Sequence, residues 1–513
     1  MTERWQLRIR RISEPSGATQ RPHLALRVVA GTLPRLALVQ TPRMFESNFR
    51  LRQPARSSRA ALMGLLLTCS GFAFAAPDAA TLNQLREHAL QGNLAFELVE
   101  SLTTEVGPRL AGSEADRRAQ DWAEARMKAL GFDKVWREPV EIPNWQRRHE
   151  RAVILGEFAQ PLQITALGHT IGTGGPIAAT VVELPDLKAL KAIEDDRLHG
   201  KIVFINHRMA RAANGAGYSI AGDIRSQGPS EAAKRGALAF VMRSAGTDNH
   251  RFPHTGNVKR VEGQHVIPAA ALSNPDAEQL HRLLAREPAL QLQLDIDVGF
   301  DGTTTTHNVI GEIRGSEPDS GIVVLGGHLD SWDLGTGAVD DGAGIAITMA
   351  AAAKLIERGQ RPRRSIRMIA FAAEEVGLFG AKAYAKDNAE LMQRHVVGME
   401  SDFGAGMIYA IQTSASVEAR AALQPLFDAL VPLQIEFAEG GYGPGPDILP
   451  MRDAGVPWFS LKQNGIDYFD LHHTADDTLD KIVPQALPQQ VAAYALATWF
   501  MADSEIDLRP AAP

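Results

Sequence analysis

The chain has 513 residues, of which 45% are hydrophobic and 22% are charged. This composition is typical of globular proteins, and the length predicts at least two domains. Residues 1–75 contain twelve Arg, no Lys and three Glu, a net charge of +9, and the whole chain carries −7, so residues 76–513 carry −16. Such an acidic body argues against nucleic acid as a partner and is compatible with cation binding.

The N-terminal region has the layout of a secretory signal peptide. In "RSSRAALMGLLLTCSGFAFAAPDA", arginines precede an apolar run over 60–67, and an A-x-A cleavage signal follows at 73–75. The run is too short to span a bilayer as a permanent helix. We therefore expect translation from Met44, export to the periplasm or the medium, and no membrane attachment after processing. The single cysteine, Cys69, lies in this segment, so the mature chain is expected to lack disulfides and a catalytic thiol.

The remaining elements fall into three stretches. Between 81 and 130, apolar residues at three- and four-residue spacing predict helices, with Ser113 as an N-cap. Short β-rich runs such as "AATVVEL" and "KIVFINH", with one helix at "PSEAAKRGA", then predict a separate, mostly β insert. After it, strands alternate with helices, which predicts an α/β domain with a mostly parallel sheet. The expected units are 1–75, 76–140, 141–300 and 301–513, with the insert dividing the α/β domain into two parts.

Acidic and imidazole side chains follow the predicted strands of the α/β domain. Ligands bind beyond the carboxyl ends of strands in open α/β sheets, and the residues that fall there are His328, Asp330, Asp340, Asp341, Glu374, Glu375, Asp402, His472 and His473. Two His and three carboxylates suit zinc, and a shared Asp would hold two ions close together. In a Glu-Glu pair, one side chain can bind metal while the other acts as a base. Each pattern taken singly is also that of an N-cap, a solvated turn or a surface loop.

Together, "GGHLDSWDLGTGAVDDGAG", "FAAEEVGLFGA", "MESD" and "HHTADDT" resemble peptidase family M28, the co-catalytic zinc peptidases, on its carboxypeptidase Q branch. The resemblance implies a mostly parallel-sheet, phosphorylase/hydrolase-like zinc-peptidase domain. "GKIVFINHRM" and "EAAKRGALAFVMRSAG" resemble a protease-associated domain, which implies an insert that overhangs the cleft. The insert's histidines show no catalytic pattern and are interpreted as solvated or structural: His207, His250, His254 and His265.

The family resemblance also assigns roles and implies two Zn²⁺ per chain. The implied roles are His328 and Asp402 as ligands of one ion, Glu375 and His473 as ligands of the other, Asp340 as the bridge, Glu374 as the general base and Asp330 as the group that orients His328. The peptide between Asp340 and Asp341 is expected to be cis, as in relatives. His473 is preferred to His472 because it begins the family's His-Thr pattern, in which Asp follows after two more residues.

The implied activity is zinc-dependent exopeptidase hydrolysis of dipeptides or short peptides with a free N-terminus, by a water shared between the metals. We expect Tyr442 to hydrogen-bond the substrate, and Lys462 to be the main cation near the site. The candidate acceptors for the substrate ammonium are Asp330, Asp341, Glu439 and Asp447, although Asp447 is expected mainly to cap the following helix. Relatives form homodimers, so a homodimer is possible.

Two alternatives stay open on the sequence. One is a glutaminyl-cyclase-like acyltransferase that uses a single zinc, and the other is a receptor-like relative without catalysis. The three interpretations differ in the expected zinc content, which is two, one or zero ions per chain.

Overall fold

The computed structural model describes residues 76–194, 197–440 and 443–509. Its helices are α1 (Ala79–Ala89), α2 (Leu94–Glu105), α3 (Glu114–Leu130), α4 (Leu187–Lys191), α5 (Tyr218–Lys234), α6 (Asn274–Leu284), α7 (Ala343–Glu357), α8 (Phe379–Asp387), α9 (Val417–Ala422), α10 (Gln424–Leu430), α11 (Leu449–Asp453), α12 (Tyr468–Leu471) and α13 (Leu487–Ala502). Its strands are β1 (Lys134–Ile154), β2 (Gln160–Leu162), β3 (Ile164–Ala166), β4 (Ile177–Leu184), β5 (Ile202–Ile205), β6 (Ala239–Arg243), β7 (Ala269–Leu272), β8 (Gln291–Ile313), β9 (Ile322–His328), β10 (Ser365–Phe371), β11 (His395–Glu400), β12 (Ile408–Thr413), β13 (Glu436–Phe437) and β14 (Phe459–Gln463). The predicted signal segment lies outside the described residues.

A large mixed sheet forms the centre of the α/β fold. Strands β11, β9 and β10 are parallel, β8 pairs antiparallel with β10, and β1 pairs antiparallel with β8. The sequence predicted a mostly parallel sheet, and the three strands that carry site residues have that arrangement. Strands β12 and β14, however, pair antiparallel with each other and form a small sheet with β13.

Helices cover both faces of the central sheet. Helix α7 is buried along almost its whole length because its alanines let α2 and α13 pack closely around it. On the opposite face, Tyr384 of α8 and Met451 of α11 join a second cluster with residues of β9 and β10. The helices predicted before residue 130 are confirmed as α1, α2 and α3, and Ser113 caps α3 by accepting a hydrogen bond from the Asp116 amide.

The insert differs from the sequence interpretation. It contains the parallel strands β4, β5, β6 and β7 and three helices, α4, α5 and α6, where one helix was predicted. The missed helices have side-chain caps: Asp186 accepts from the Ala189 amide, and Ser273 accepts from the Asp276 amide. These caps stabilise short helices whose sequences were taken as links between strands.

Two long strands join the insert to the rest of the fold. Strand β1 has 21 residues and β8 has 23, and they pair along nearly their full length. The predicted boundaries at 140/141 and 300/301 therefore fall inside continuous strands. The start of β8 also pairs with β4, so the strands of the insert and those of the central sheet are hydrogen-bonded into one continuous sheet. Within the described part of the chain, no helix is both long and apolar enough to cross a membrane.

Candidate metal centre

Parallel strands bring the predicted site residues to one edge of the sheet. His328 is the last residue of β9, Glu374 and Glu375 follow β10, and Asp402 follows β11. Asp340 lies in the turn before α7. His473 lies in the loop after α12. Side chains from five separate segments thus meet in one buried cluster.

Asp340 lies between the two histidines. Its Oδ1 is 3.1 Å from His328 Nε2, and its Oδ2 is 3.3 Å from His473 Nε2. On one side, His328 Nε2 is also 3.6 Å from Asp402 Oδ1. On the other, His473 Nε2 is 2.9 Å from Glu375 Oε2. The cluster therefore consists of two groups of ligand-type atoms that share one carboxylate.

This donor set has the chemistry and spacing of a zinc site. Bonds of about 2.0–2.2 Å at tetrahedral angles would place neighbouring ligand atoms about 3.3 Å apart, which is close to the separations found. The buried atoms Asp340 Oδ2 and Glu375 Oε1 have no hydrogen-bond partner within the described residues. Buried unpaired carboxylate oxygens are costly unless a cation or donor compensates them. The described residues thus supply the donor types and spacing that zinc requires.

The two adjacent histidines have different surroundings. Their rings stack with centroids 3.5 Å apart, but His472 Nε2 lies 3.7 Å from Asp340 Oδ2 and packs against Tyr218 and Phe469. Burial lowers the pKa of His472 well below its ordinary value. Burial also opposes protonation of His473, but Glu375 and Asp340 outweigh it and raise the pKa of His473 well above its ordinary value. The geometry favours His473 as the residue that faces both carboxylates.

Asp330 acts differently from the expectation. The His328 ring donates from Nδ1 to the backbone carbonyl oxygen of Asp330 at 3.0 Å, while the nearest carboxylate oxygen is 3.8 Å away. The Asp330 carboxylate instead accepts from the amides of Glu374 at 3.0 Å and Glu375 at 3.2 Å. The Asp330 carboxylate therefore contacts mainly the turn that carries Glu374 and Glu375, because the backbone amides of that turn donate to it and the His328 ring does not.

The turn before α7 is fixed from several directions. Its peptide between Asp340 and Asp341 is cis. The Asp341 carboxylate accepts from the amides of His328 and Gly344, both at 3.1 Å. A Cβ at Gly344 would overlap the Ser401 carbonyl oxygen and this carboxylate, so the start of α7 needs glycine to approach the strand ends so closely.

Sequence reasoning missed two residues that support the same turn. Asp477 accepts from the amides of Val339 at 2.6 Å and Asp340 at 3.2 Å. Arg109 is fully buried and donates to the carbonyl oxygens of Leu329, Thr336 and Gly337. Arg109 lies more than 200 positions before its partners, so no local pattern revealed it. The acidic residues near the end of "HHTADDT" were the feature of the sequence that could have identified Asp477.

The insert supports the loop that carries His472 and His473. His254 bonds through Nδ1 to the His472 carbonyl oxygen at 2.7 Å and through Nε2 to Asp248 at 2.5 Å. Thr255 donates its amide to the His473 carbonyl oxygen, and its own carbonyl oxygen accepts from His473 Nδ1 at 3.2 Å. His254 thus has a structural role, which is one of the two roles that the sequence suggested. The sequence did not predict that it lies at the edge of the cluster.

The cluster opens into a cavity of about 440 Å³ between the α/β domain and the insert. Glu374 lines this cavity, and burial raises the pKa of its carboxyl well above the ordinary value. From the insert come Tyr218, Arg225 and Asn257. Asn257 also donates to the Glu375 carbonyl oxygen. The insert therefore forms one wall of the site.

The structure gives less support to the predicted substrate contacts than to the predicted metal ligands. Tyr442 lies outside the described residues. Asp447 does not cap a helix: both its carboxylate oxygens are buried without a hydrogen-bond partner in the described ranges. Glu439 is exposed and paired with Arg420. Lys462 lines a second cavity that adjoins the first.

Comparisons with known proteins agree with the geometry. The model of peptidase family M28 matches residues 308–498. Carboxypeptidase Q of Homo sapiens is 34% identical over 414 residues, which cover 80% of this chain and 86% of that protein; the Bos taurus protein is 33% identical over the same shares. The crystal structure of a peptidase M28 precursor from Shewanella amazonensis SB2B is 45% identical, with a TM-score of 0.82 over 85% of this chain and 99% of that one. An aminopeptidase from Aneurinibacillus sp. strain AM-1 shares the fold, with a TM-score of 0.58 and 20% identity over 84% of this chain and 98% of that one.

Proposed function

Because the chain belongs to peptidase family M28, on the carboxypeptidase Q branch, and is therefore a zinc metallo-exopeptidase, we propose that it hydrolyses dipeptides and short peptides with a free N-terminus at a centre of two zinc ions. The observation that carries this proposal is the Asp340 carboxylate, which presents one oxygen to His328 and the other to His473. A single carboxylate placed in this way suits a bridge between two ions.

In this proposal each ion has its own ligands besides the bridge. His328 and Asp402 hold the first ion, and Glu375 and His473 hold the second. Zinc bound here would lower the pKa of a water molecule and polarise the scissile carbonyl group. The distances within each group, between 2.9 and 3.6 Å, support the assignment.

Glu374 is proposed as the general base. Its backbone is fixed by the hydrogen bond from its amide to Asp330, and its side chain lines the cavity beside the cluster. The carboxylate accepts a proton from the attacking water and returns it to the nitrogen of the leaving amine as the C–N bond breaks. The step needs no covalent intermediate.

The carboxylates first considered for recognition of a free amino group already have other contacts or are buried. The carboxylates of Asp330 and Asp341 accept hydrogen bonds from backbone amides, Asp447 is buried and Glu439 pairs with Arg420. The carboxylates that line the cavities are instead those of Asp340, Glu374, Glu375, Glu400 and Asp402. Asp340, Glu375 and Asp402 are assigned to zinc and Glu374 to proton transfer, so Glu400 is the lining carboxylate that supports a proposed binding site for the substrate ammonium.

The insert is proposed to be a protease-associated domain that limits the length of substrates. Tyr218 and Asn257 of the insert line the metal cavity, which supports this proposal. A cavity of about 440 Å³ accommodates a dipeptide and not a folded chain.

The test compares one dipeptide with its N-acetylated form, its C-amidated form and a ten-residue peptide by liquid chromatography. We expect acetylation to lower kcat/KM by about 10- to 150-fold, because it removes an ammonium whose charge-assisted bond contributes about 1.5–3 kcal/mol. Amidation should be tolerated better than acetylation, and the long peptide should be cleaved much more slowly. Faster cleavage of the acetylated form than of the amide would overturn amine recognition.

We also propose that the chain is exported and that its mature form begins near Ala76. The arginine-apolar-A-x-A order before that residue supports this. N-terminal sequencing of the protein from its native host checks it, and a mature chain that still carries residues 44–75 would disprove it.

A further inference from the structure

A second cavity of about 430 Å³ adjoins the metal cavity. The two cavities share Asp402, Phe403 and Pro446 in their linings. The second cavity therefore lies directly beside the metal cavity, with these three residues between them. The proposed function gives roles to Glu400 and Asp402 of its lining and leaves the rest of this space without a role.

The floor of the second cavity is one face of the small sheet formed by β12 and β14. Lys462 is the register partner of Ala410, and Ser460 is the register partner of Gln412. Residues that are opposite each other in an antiparallel pair project to the same face. Ammonium, hydroxyl and amide groups are thus gathered side by side, and all three can donate hydrogen bonds.

The remaining walls are largely apolar. Phe403, Tyr409 and Leu461 line the cavity together with residues of the 444–446 loop, and Asn214 reaches it from the insert. The carboxylates in the lining are Glu400 and Asp402, and Asp402 is shared with the metal cavity. The second cavity therefore has an acidic end at the metal cluster and a donor-rich floor on the sheet.

Lys462 is half-buried on this floor without an ion-pair partner among the described residues. Burial lowers the pKa of its ammonium, and no neighbouring carboxylate offsets that effect. Half-buried charged and polar groups without partners are costly, which indicates that a ligand supplies the partner.

We propose that this cavity binds a carboxylate of the peptide substrate, with Lys462 as its counter-ion and Ser460 and Gln412 as hydrogen-bond donors. The inference rests on the proposed peptidase function and names a determinant of its specificity. The carboxylate has two possible sources, the C-terminus of a short peptide or the side chain of an acidic residue. Both present the same anion to the same donors.

The experiment measures kcat/KM of the zinc-loaded wild type and of Lys462→Met on matched substrate pairs. Ala-Ala against Ala-Ala-amide tests the C-terminal carboxylate. Ala-Glu-amide against Ala-Gln-amide and Glu-Ala-amide against Gln-Ala-amide test the side chain on either side of the scissile bond. We expect the wild type to prefer the charged member of at least one pair by about 10- to 100-fold, mainly through KM, as a charge-assisted hydrogen bond allows.

In Lys462→Met the kcat/KM ratio of the charged to the uncharged member of that pair should fall to near unity. Lys462→Arg should retain part of the preference because the positive charge is kept. Lys386→Met, at an exposed position of α8, is the matched control and should keep the wild-type ratio. The pair whose kcat/KM ratio falls to near unity in Lys462→Met identifies the source of the carboxylate.

Equal kcat/KM for both members of every pair in the wild type would overturn the inference. So would an undiminished ratio in Lys462→Met with normal zinc content. A wild type that cleaves none of the six peptides despite bound zinc would instead contradict the proposed function, so the two failures are distinguishable.

Discussion

Replacing Glu374 with Gln is expected to lower kcat by about 10²–10⁴-fold and to leave the bound zinc unchanged. The substitution is nearly isosteric, and the hydrogen bond that fixes this turn comes from the backbone amide of residue 374 to Asp330, so the position of the side chain should persist. The amide cannot accept the proton of the attacking water. Steady-state kinetics on a dipeptide, together with the zinc content of the same sample, measure both effects.

The matched control is Glu390→Gln, a change of the same chemistry at an exposed position between α8 and β11. It should retain the wild-type kcat. If Glu374→Gln also retains a kcat near that of the wild type, the assignment of Glu374 as general base is wrong. Loss of activity together with loss of zinc would indicate a ligand or structural role instead.

Replacing Asp340 with Ala is expected to remove both zinc ions and all detectable turnover. One Asp340 oxygen lies near each histidine, so a single truncation takes a ligand from both groups. It also removes the carboxylate that lies between the two imidazoles. Metal analysis of the purified variant is the measurement, with circular dichroism to confirm that the chain is folded.

The comparison variants are Asp402→Ala and Glu375→Ala, each of which removes a ligand from one group only. Each should keep close to one zinc per chain, because the opposite group retains its histidine, its carboxylate and Asp340. An Asp340→Ala protein that still holds two zinc ions would show that Asp340 does not bridge. Equal losses in all three variants would point to a single shared site.

Much of the site could be predicted because it follows from strand direction. The end of each of β9, β10 and β11 is marked in the sequence by a buried apolar run followed by a charged group. Parallel strands place these ends at one edge, so His328, the Glu pair and Asp402 had to be neighbours. The central α/β sheet was predictable for the same reason.

Contacts between distant segments were not predictable from one sequence. Asp330 was expected to hold the His328 ring, but its carboxylate is bonded to the amides of the Glu pair. Which donor a carboxylate meets depends on how its side chain is oriented, and the spacing of residues in the sequence does not determine that orientation. The bonds from His254 to the His472 carbonyl and from Arg109 to the turn before Asp340 join positions more than 200 residues apart.

The insert was only partly predictable. Strands β4, β5 and β6 were visible as apolar runs, whereas α4 and α6 begin at single capping side chains, Asp186 and Ser273. The antiparallel pairing of β12 with β14 also has no local signature, since strand direction depends on how the chain returns and not on its composition. That pairing is what places Lys462 beside the second cavity.

The zinc content of the wild-type protein tests the account most directly. The purified chain is saturated with zinc, dialysed against metal-free buffer and measured by inductively coupled plasma mass spectrometry against protein concentration from amino-acid analysis. The account predicts two zinc ions per chain, with one of them lost in Asp402→Ala. One ion in the wild type would contradict the bridging role of Asp340 and favour a single-zinc acyltransferase, and none would favour a receptor-like protein.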